Sequence, residues 1–347
     1  MEKVFGKKSR MLSLLIVLLL LFVTTTEGFA ITAESEEEKA CEKQAQIIEN
    51  MTSKNLVNDD VYETKNAFIA DGYSSEIIIP KDGDDVIELN DGEGETLEFR
   101  LPEEAKGTKG LLSESGMMVY NCEKDVSVAV QPLTEQVGDE QIDSVRALIT
   151  ISKETAPHEY DFEFDLQDGE KLVTAKEYLG ADYDTGEAYV VDSDNQIVSV
   201  IDPAWAKDAN GNSISTHYDV RGNSLIQIVN FDENTAFPVV ADPTAWQITK
   251  CAGAIGWVVG STVFAAAKIA KIKKYIKALG GVKKSASKLI GIIKKAKAIA
   301  KKHNTSTVKV LRRAKYSKEL WEGVGKTLMN FGAAVLGIDA VVDQCSF

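Results

Sequence analysis

The chain has 347 residues, 44% of them hydrophobic and 27% charged, and this composition excludes both a wholly disordered chain and a polytopic membrane protein. Its length is sufficient for about two domains beyond a targeting segment. The net charge of -14 is unevenly distributed, because residues 31–245 carry 15 basic and 47 acidic side chains, whereas residues 246–347 carry 20 basic and four acidic ones. The two parts therefore have opposite net charges and attract each other over a Debye length of about 8 Å at physiological salt.

The first 30 residues have the pattern of a secretory signal peptide. Four basic residues precede an uncharged apolar run, and Gly28 and Ala30 fit the small-residue positions before a signal-peptidase site. The alternative is a retained membrane anchor, but the uncharged stretch at residues 11–26 is shorter than the about 20 residues of a spanning helix. We therefore expect cleavage after Ala30 and a secreted, extracellular protein that can remain associated with the cell surface.

Export makes disulfide bonds possible for the four cysteines, Cys41, Cys122, Cys251 and Cys345. None belongs to a C-x-x-C pair, so the spacing of zinc or thioredoxin-like chemistry is missing. Three connectivities are possible, and we favour Cys251–Cys345 because the two residues bracket the basic segment. Closing so long a loop contributes about 4–5 kcal/mol in the chain-entropy model. The alternative is four reduced, buried thiols.

The acidic part of the chain divides into two segments. Residues 31–60 are rich in Glu and predict a short helix or a solvated leader. Residues 61–243 contain short runs of alternating polarity separated by turn residues, as where Tyr160, Phe162 and Phe164 alternate with acidic residues. This pattern predicts an antiparallel all-β domain, sandwich-like, with the acidic residues on its outward faces.

After Pro243 the apolar residues recur at spacings of three and four, which predicts amphipathic helices with a cationic face. A first helix ends at Gly280-Gly281, a second covers residues 284–302, and a third candidate covers residues 317–342. Residues 303–306 predict a break. The expected fold class is thus a two-part α+β protein, in which the all-β domain is followed by an all-α domain at residues 246–347.

The basic helices are the candidate functional site. Membrane-surface binding is one interpretation, since lysines line one face and apolar residues the other. A second is nucleic-acid binding, which we do not expect because the segment has two Arg and its aromatic residues lie at helical spacing. A third is a compact helical domain with a solvated lysine face. The residues expected to contact a membrane are Lys268, Lys271, Lys274, Lys277, Lys284, Lys288, Lys294, Lys295, Trp257 and Phe264.

The sequence contains no pattern that predicts catalysis. Its three histidines are scattered, and the G-x-S-x-G, P-loop and H-E-x-x-H patterns are absent. The segment 208–219 superficially resembles a calcium loop, but it lacks the sixth-position Gly and the twelfth-position Glu. A hairpin turn at Asn210-Gly211 explains this segment better. We expect no enzyme activity, no catalytic residue, no metal and no cofactor.

The sequence also resembles a group of secreted proteins from Gram-positive bacteria, many of them actinobacterial and others from Firmicutes. The residues that carry the resemblance are the Pro-Val-Val-Ala-Asp-Pro string at 238–243, the segment 156–162, and the strings 205–211, 218–220 and 225–229. These proteins share a β-rich module that ends in this string, and a similar module occurs in polymorphic-toxin-like proteins.

The continuation from residue 249 to Cys345 is similar to the short, Cys-bracketed helical part that follows the module in the same proteins. The resemblance covers residues 150–347 well and residues 60–150 loosely, and it carries no catalytic assignment. The Lys-dense stretch at residues 283–315 departs from the pattern, so a membrane activity of this chain would not extend to its relatives.

These patterns predict a secreted precursor with a cationic, disulfide-closed helical domain that acts on bacterial membranes, like a bacteriocin. The acidic β domain is its partner in cis and masks the lysine face until proteolysis near residues 243–246. The alternative is a non-enzymatic cell-surface interaction protein that uses the basic domain to attach to anionic wall polymer or anionic membrane lipid.

Overall fold

The computed structural model describes residues 35–52, 61–73, 75–90, 96–137, 140–247, 255, 259 and 266–336. An antiparallel β-rich region is followed by helices, as the charge and polarity patterns predict. The signal-peptide prediction and the two residues of the predicted Cys251–Cys345 bond lie outside the described residues. The expected acidic leader is a helix, α1 (Glu36–Met51).

Nine strands occupy the first half of the β-rich region. Burial alternates along the strand Thr96–Arg100, where Leu97 and Phe99 point into the core and the other three residues are half-buried. The strands are β1 (Val61–Glu63), β2 (Ala67–Asp71), β3 (Glu76–Pro80), β4 (Ile87–Asn90), β5 (Thr96–Arg100), β6 (Leu111–Leu112), β7 (Met118–Tyr120), β8 (Val126–Val137) and β9 (Glu140–Ile151).

The second half of the region adds nine strands, a short helix α2 (Ala175–Leu179) and a 3-10 turn at Ala181–Tyr183. A further 3-10 turn, Glu103–Ala105, follows β5. The strands are β10 (Glu159–Phe164), β11 (Lys171–Thr174), β12 (Ala188–Val191), β13 (Ile197–Ile201), β14 (Trp205–Lys207), β15 (Ser215–Arg221), β16 (Ser224–Asn230), β17 (Val239–Asp242) and β18 (Thr244–Gln247).

The strands form two large antiparallel sheets. The first has the order β1-β2-β3-β4-β5-β10-β16-β15. The second has the order β11-β12-β13-β18-β9-β8-β7-β6, and β17 joins it by pairing with both β9 and β14. In the second sheet Val200 of β13 is paired with Trp246 of β18, so this sheet extends past residue 243.

The inner faces of the two sheets share one hydrophobic core. Phe68, Ile79 and Leu89 of the first sheet lie in the same buried cluster as Val128 and Ile149 of the second. Every second side chain along these strands points into this core, as the alternating sequence predicts. The acidic residues between them are exposed, for example Asp161 and Glu163 on β10.

The outer face of the second sheet is covered by helices at both ends. At one end α1 packs on it, with Ala45 and Ile48 against Val119 and Leu148. A disulfide between Cys41 and Cys122 joins this helix to the end of β7. This bond excludes the two connectivities that pair either cysteine with Cys251 or Cys345, and the favoured pairing of the latter two stays a prediction.

At the other end, five helices cover β11, β12 and β13. They are α3 (Ala266–Leu279), α4 (Val282–Lys302), α5 (Thr307–Arg312), α6 (Ala314–Trp321) and α7 (Lys326–Val335). The predicted ends at Gly280-Gly281 and at residue 303 are confirmed, because both glycines have positive φ and α4 ends at Lys302. The prediction of one helix at residues 317–342 is wrong within the described residues, since the chain turns at Gly323, where φ is 76°.

Candidate surface-binding site

The lysines of α3 lie on its solvent side, but they do not form a straight row. Residues three apart on a helix are displaced by about 60° around its axis, so Lys268 and Lys277 are about 180° apart. Lys271, Lys274 and Lys277 are exposed, whereas Lys268 is half-buried at the edge of the packed side. The spacing of three thus spreads the positive charge around half of the helix.

The lysines of α4 lie in a straighter row. Lys284, Lys288, Lys295 and Lys302 follow each other at intervals of four, seven and seven residues, which keeps them within about 40° of each other around the axis. The first two and the last are exposed, and Lys295 is half-buried. Lys294, which was predicted beside Lys295, is half-buried off this row.

The apolar side of these helices is buried in a core that they share with the second sheet. Leu289 and Ile293 of α4 and Ile276 of α3 belong to the same buried cluster as Tyr189 and Val200 of the sheet. All five side chains are at most 1% exposed. The β-rich region therefore covers the apolar side of the basic helices, while most of their lysines face solvent.

Two lysines of α3 donate hydrogen bonds to the chain that follows β11. The Lys273 Nζ donates to the Tyr178 carbonyl oxygen at 3.3 Å, and the Lys277 Nζ donates to that of Asp182 at 2.9 Å. Partial burial lowers the pKa of Lys273. These contacts place α3 along the segment of α2 and its neighbouring turn.

A partly buried ion pair joins α4 to the β-rich region. The Lys283 Nζ lies 3.0 Å from Asp202 Oδ2, and the Lys283 side chain is only 10% exposed. Lys284, one position later, points to solvent because consecutive helix residues differ by about 100° in direction. Asp202 follows β13, so the pair connects the helix to the strand on which it packs.

The amino terminus of α4 is capped by a buried carboxyl group. Glu187 is 2% exposed, and its Oε2 accepts hydrogen bonds from the backbone N–H of Val282, from the Tyr189 hydroxyl and from the Thr185 hydroxyl, at 3.2, 2.6 and 2.9 Å. Burial raises the pKa of Glu187, and these three hydrogen bonds oppose the shift. The cap satisfies a helix N–H that has no partner within the helix.

The string at 238–243 contains β17 and ends just before β18, and its acidic residue contributes to the packing of the sheet. Asp242 lies 3.6 Å from the Nε of Arg146 and accepts a hydrogen bond from the Thr244 hydroxyl at 2.9 Å. Burial raises the pKa of Asp242 to about 7, although the guanidinium and the hydroxyl oppose the shift. The pKa of Asp242 rises overall because the Arg146 Nε, at 3.6 Å, is too far away to donate a hydrogen bond to its carboxylate. The loss of water on burial is therefore not offset.

The other polar residues considered in the sequence are also structural. His158 stacks on Phe231, His217 lies in β15, and His303 contacts Glu319 at 2.9 Å. Asp208 Oδ1 accepts from the backbone N–H groups of Asn210 and Asn212, which is a turn, as predicted.

Neither a metal-binding cluster nor a membrane-spanning helix occurs in the described part of the chain. It contains no group of three or more His, Cys, Asp or Glu side chains that could hold a metal ion. Among its helices, none is both long enough and apolar enough to cross a bilayer.

The structure brings together part of the predicted site. Lys271, Lys274, Lys277, Lys284 and Lys288 are exposed on α3 and α4, whereas Trp257 and Phe264 lie outside the described residues. Sequence reasoning missed Glu187, Asp202 and Lys283, which attach the helices to the sheet. A signal for this attachment was present, because β12 is a continuous apolar run, Ala188–Val191, of the kind found in strands buried on both faces.

No protein-family model matches the sequence, and no curated protein is significantly similar to it.

Proposed function

We propose that this protein is an exported, non-enzymatic surface-interaction protein, whose basic helices attach it to anionic wall polymer or to anionic membrane lipid. In this proposal the two sheets form a sandwich-like domain that faces outward to a partner, and the basic helices that follow β18 form the attachment domain. Nucleic acid is not the expected ligand, because the aromatic residues Tyr275, Trp321 and Phe331 contribute to the packed core of the helices.

One observation carries the proposal: the folded chain exposes most of the lysines of α3 and α4 while the apolar side of the same helices is buried. Electrostatic attachment therefore requires no rearrangement. Insertion into lipid would require the helices to leave the sheet and uncover side chains such as Tyr189 and Val200. Exposing a large apolar side chain costs about 1.5–3 kcal/mol, so uncovering the whole cluster is strongly unfavourable.

The experiment uses the oxidised chain from residue 31 onward. It is sedimented with anionic vesicles, with zwitterionic vesicles, and with Gram-positive wall material before and after removal of its phosphate polymer. We expect the protein to sediment with at least one anionic surface at low salt and to be released at high salt, since screening weakens contacts between exposed charges. If it stays in solution with every anionic surface at low salt, the proposal is wrong.

A second candidate is a precursor that acts on bacterial membranes after its helices are released. The amphipathic pattern of α4 favours it, because lysines and apolar residues occupy opposite sides of an interfacial helix. Release would break the Lys283–Asp202 pair and the Glu187 cap. A cut near residues 243–246 would also fall in β18, which pairs with β9 and β13.

Mass spectrometry of the secreted material separates the two candidates. An intact chain that begins near residue 31 supports surface attachment. A cut near residue 245, together with leakage of anionic vesicles by the cleaved material, supports the precursor.

A further inference from the structure

We propose that the row of lysines along α4 is a binding surface for one extended polyphosphodiester chain, rather than for a membrane. This inference rests on the proposed function and names the partner of the same site. The row consists of Lys284, Lys288, Lys295 and Lys302 and is called the lysine row below.

The first argument is the shape of the lysine row. Its first and last members are 18 residues apart, which is five helical turns and about 27 Å along the axis. Successive lysines are about 6, 10.5 and 10.5 Å apart along the axis. A linear polymer with a phosphate in each repeating unit can follow such a row and place phosphates at each ammonium group.

The second argument is that the helix presents little bulk between the lysines. The two exposed residues that lie between them on the same side are Gly291 and Ala298. A Cβ added at Gly291 would meet no atom within 4 Å. A flexible chain can therefore lie directly along the helix surface between one lysine and the next.

The third argument is that contacts within the protein orient part of the row. The Lys288 Nζ donates to the Leu279 carbonyl oxygen at 3.2 Å, and the Lys295 Nζ donates to that of Glu322 at 2.6 Å. An ammonium group has three donors, so two remain on each of these lysines. Lys302, at the end of the row, also lies 2.7 Å from Glu319 Oε1, so its positive charge is partly offset by this carboxylate.

The fourth argument concerns the absence of an apolar flank. Interfacial helices bind membranes by burying apolar side chains beside their charged face. The large apolar side chains of α4, such as Leu289, Ile290 and Ile292, are at most 4% exposed. A membrane could thus contact α4 of the intact protein only through charge, whereas a chain that follows the row gains a contact at each lysine.

The experiment measures binding of the oxidised chain from residue 31 onward to a soluble poly(glycerol phosphate) and to vesicles of phosphatidylglycerol. The test variant carries Lys284→Gln, Lys288→Gln, Lys295→Gln and Lys302→Gln. A charge-matched control carries Lys309→Gln, Lys315→Gln, Lys318→Gln and Lys326→Gln, all at exposed positions. Circular dichroism and thermal unfolding verify that both variants fold.

We expect the polymer to bind the parent chain and the control, and the test variant to lose roughly tenfold or more in affinity. The slope of log K against log salt should fall by about 3 in the test variant, since each phosphate contact on a flexible polyanion contributes about 0.7. The control should lose less than about threefold.

Three results would overturn the inference. Equal losses in the test and control variants would show that net charge decides, not the lysine row. Vesicle binding that equals or exceeds polymer binding per accessible phosphate would assign the surface to lipid and leave the proposed function standing. No binding to either probe would overturn the inference and the proposed function together.

Discussion

Glu187 stabilises the contact between sheet and helices through the hydrogen bonds that its buried carboxyl group accepts. Glu187→Ala would leave the Val282 N–H without an acceptor and would leave the Tyr189 hydroxyl only the Thr185 hydroxyl, 3.5 Å away. A buried unsatisfied group costs about 1–3 kcal/mol, so we expect a loss of roughly 3 kcal/mol in the free energy of unfolding. Urea unfolding of the parent chain and of Glu187→Ala at pH 7 measures this loss.

The matched control for this change is Glu154→Ala at an exposed position, which should alter stability by less than about 0.5 kcal/mol. Glu187→Gln should lose less than Glu187→Ala, because its amide oxygen still accepts a hydrogen bond. A loss below about 1 kcal/mol for Glu187→Ala would mean that water replaces the carboxyl group at this site.

Asp242 makes the folded protein less stable as the pH rises. A carboxylate whose pKa is lowered by folding has the reverse effect. The pKa of Asp242 is about 7 in the folded state, above the value of 3.8 for a free group. Its protonated form therefore favours folding at low pH, and this contribution is lost as the pH rises from about 4 through 7. Between pH 5 and 8, the parent chain should lose more unfolding free energy than Asp242→Asn.

Urea unfolding at several pH values tests this, with Asp168→Asn at an exposed site as the control. The difference in the free energy of unfolding between the parent and Asp242→Asn should change between pH 5 and 8. The same difference between the parent and Asp168→Asn should stay constant. Parallel curves for the parent and Asp242→Asn would show that Asp242 is ionised throughout.

At the residue scale, the exposed lysines could be predicted from their spacing, but their attachment partners could not. Periodicity is a local signal, and it places Lys284 and Lys288 on the solvent side of a helix. The Glu187 cap joins residues that are 95 positions apart, so no local pattern contains it. The buried Lys283 also resembles its exposed neighbours in sequence.

The start of α4 requires glycine at residue 281, because two constraints coincide there. Its φ is 106° and its ψ is 176°, a conformation that is almost confined to glycine. A Cβ would also lie 2.3 Å from Glu187 Oε1. Gly281→Ala should therefore destabilise the protein by about 3 kcal/mol, including about 1–3 kcal/mol of backbone strain.

Gly211→Ala is the matched control for Gly281→Ala. Its φ is also positive, at 79°, but a Cβ there meets nothing within 4 Å. It should cost about 1–2 kcal/mol, from the backbone alone. Equal effects of the two substitutions on the thermal midpoint would contradict the steric role of Glu187.

The disulfide Cys41–Cys122 fixes α1 on the second sheet across 81 residues of sequence. Removal of a bond that closes a loop of this length costs about 4–5 kcal/mol in the chain-entropy model. We expect the double substitution Cys41→Ser and Cys122→Ser to lower the urea midpoint substantially. Unchanged stability under reducing conditions would show that the packing of Ala45 and Ile48 alone holds the helix.

At the element scale, prediction succeeded where a stop signal or a period was strong. Gly280-Gly281 marked the end of α3, and the alternation of Tyr160, Phe162 and Phe164 marked β10. It failed at residues 317–342, because the apolar spacing continues across Gly323 although the backbone turns there. Spacing reports which faces are apolar, and it cannot report where two short helices change direction.

Across the whole molecule, the helices and the second sheet should unfold together, since they share one buried cluster. Val200→Asp places a charge in that cluster and should lower the free energy of unfolding by about 3 kcal/mol or more. The helical signal at 222 nm and the near-ultraviolet aromatic signal should both shift to lower temperature in one transition.

Val308→Asp is the control, because Val308 is 42% exposed in the first turn of α5. An acidic residue near a helix amino terminus is neutral or slightly favourable. If Val200→Asp moves the aromatic signal but leaves the helical signal in place, the helices are stable without the sheet.

The layered arrangement was the least predictable property of the molecule. The opposite charges of residues 31–245 and 246–347 suggested contact through lysine and carboxylate, whereas the contact is mainly apolar. Charge composition is a property of surfaces and carries no information about which apolar faces meet. Continuous apolar strands such as Ala188–Val191 were the only pattern that reported the second buried face.

The shared cluster under α3 and α4 also defines the unit that recombination or engineering can exchange. A chimera that received only residues 248–347 from another protein would place foreign side chains on Val173, Tyr189 and Val200. We therefore expect a graft to fold only when β11, β12 and β13 are transferred together with the helices they support. The unit formed by these helices and their supporting strands is therefore discontinuous along the chain.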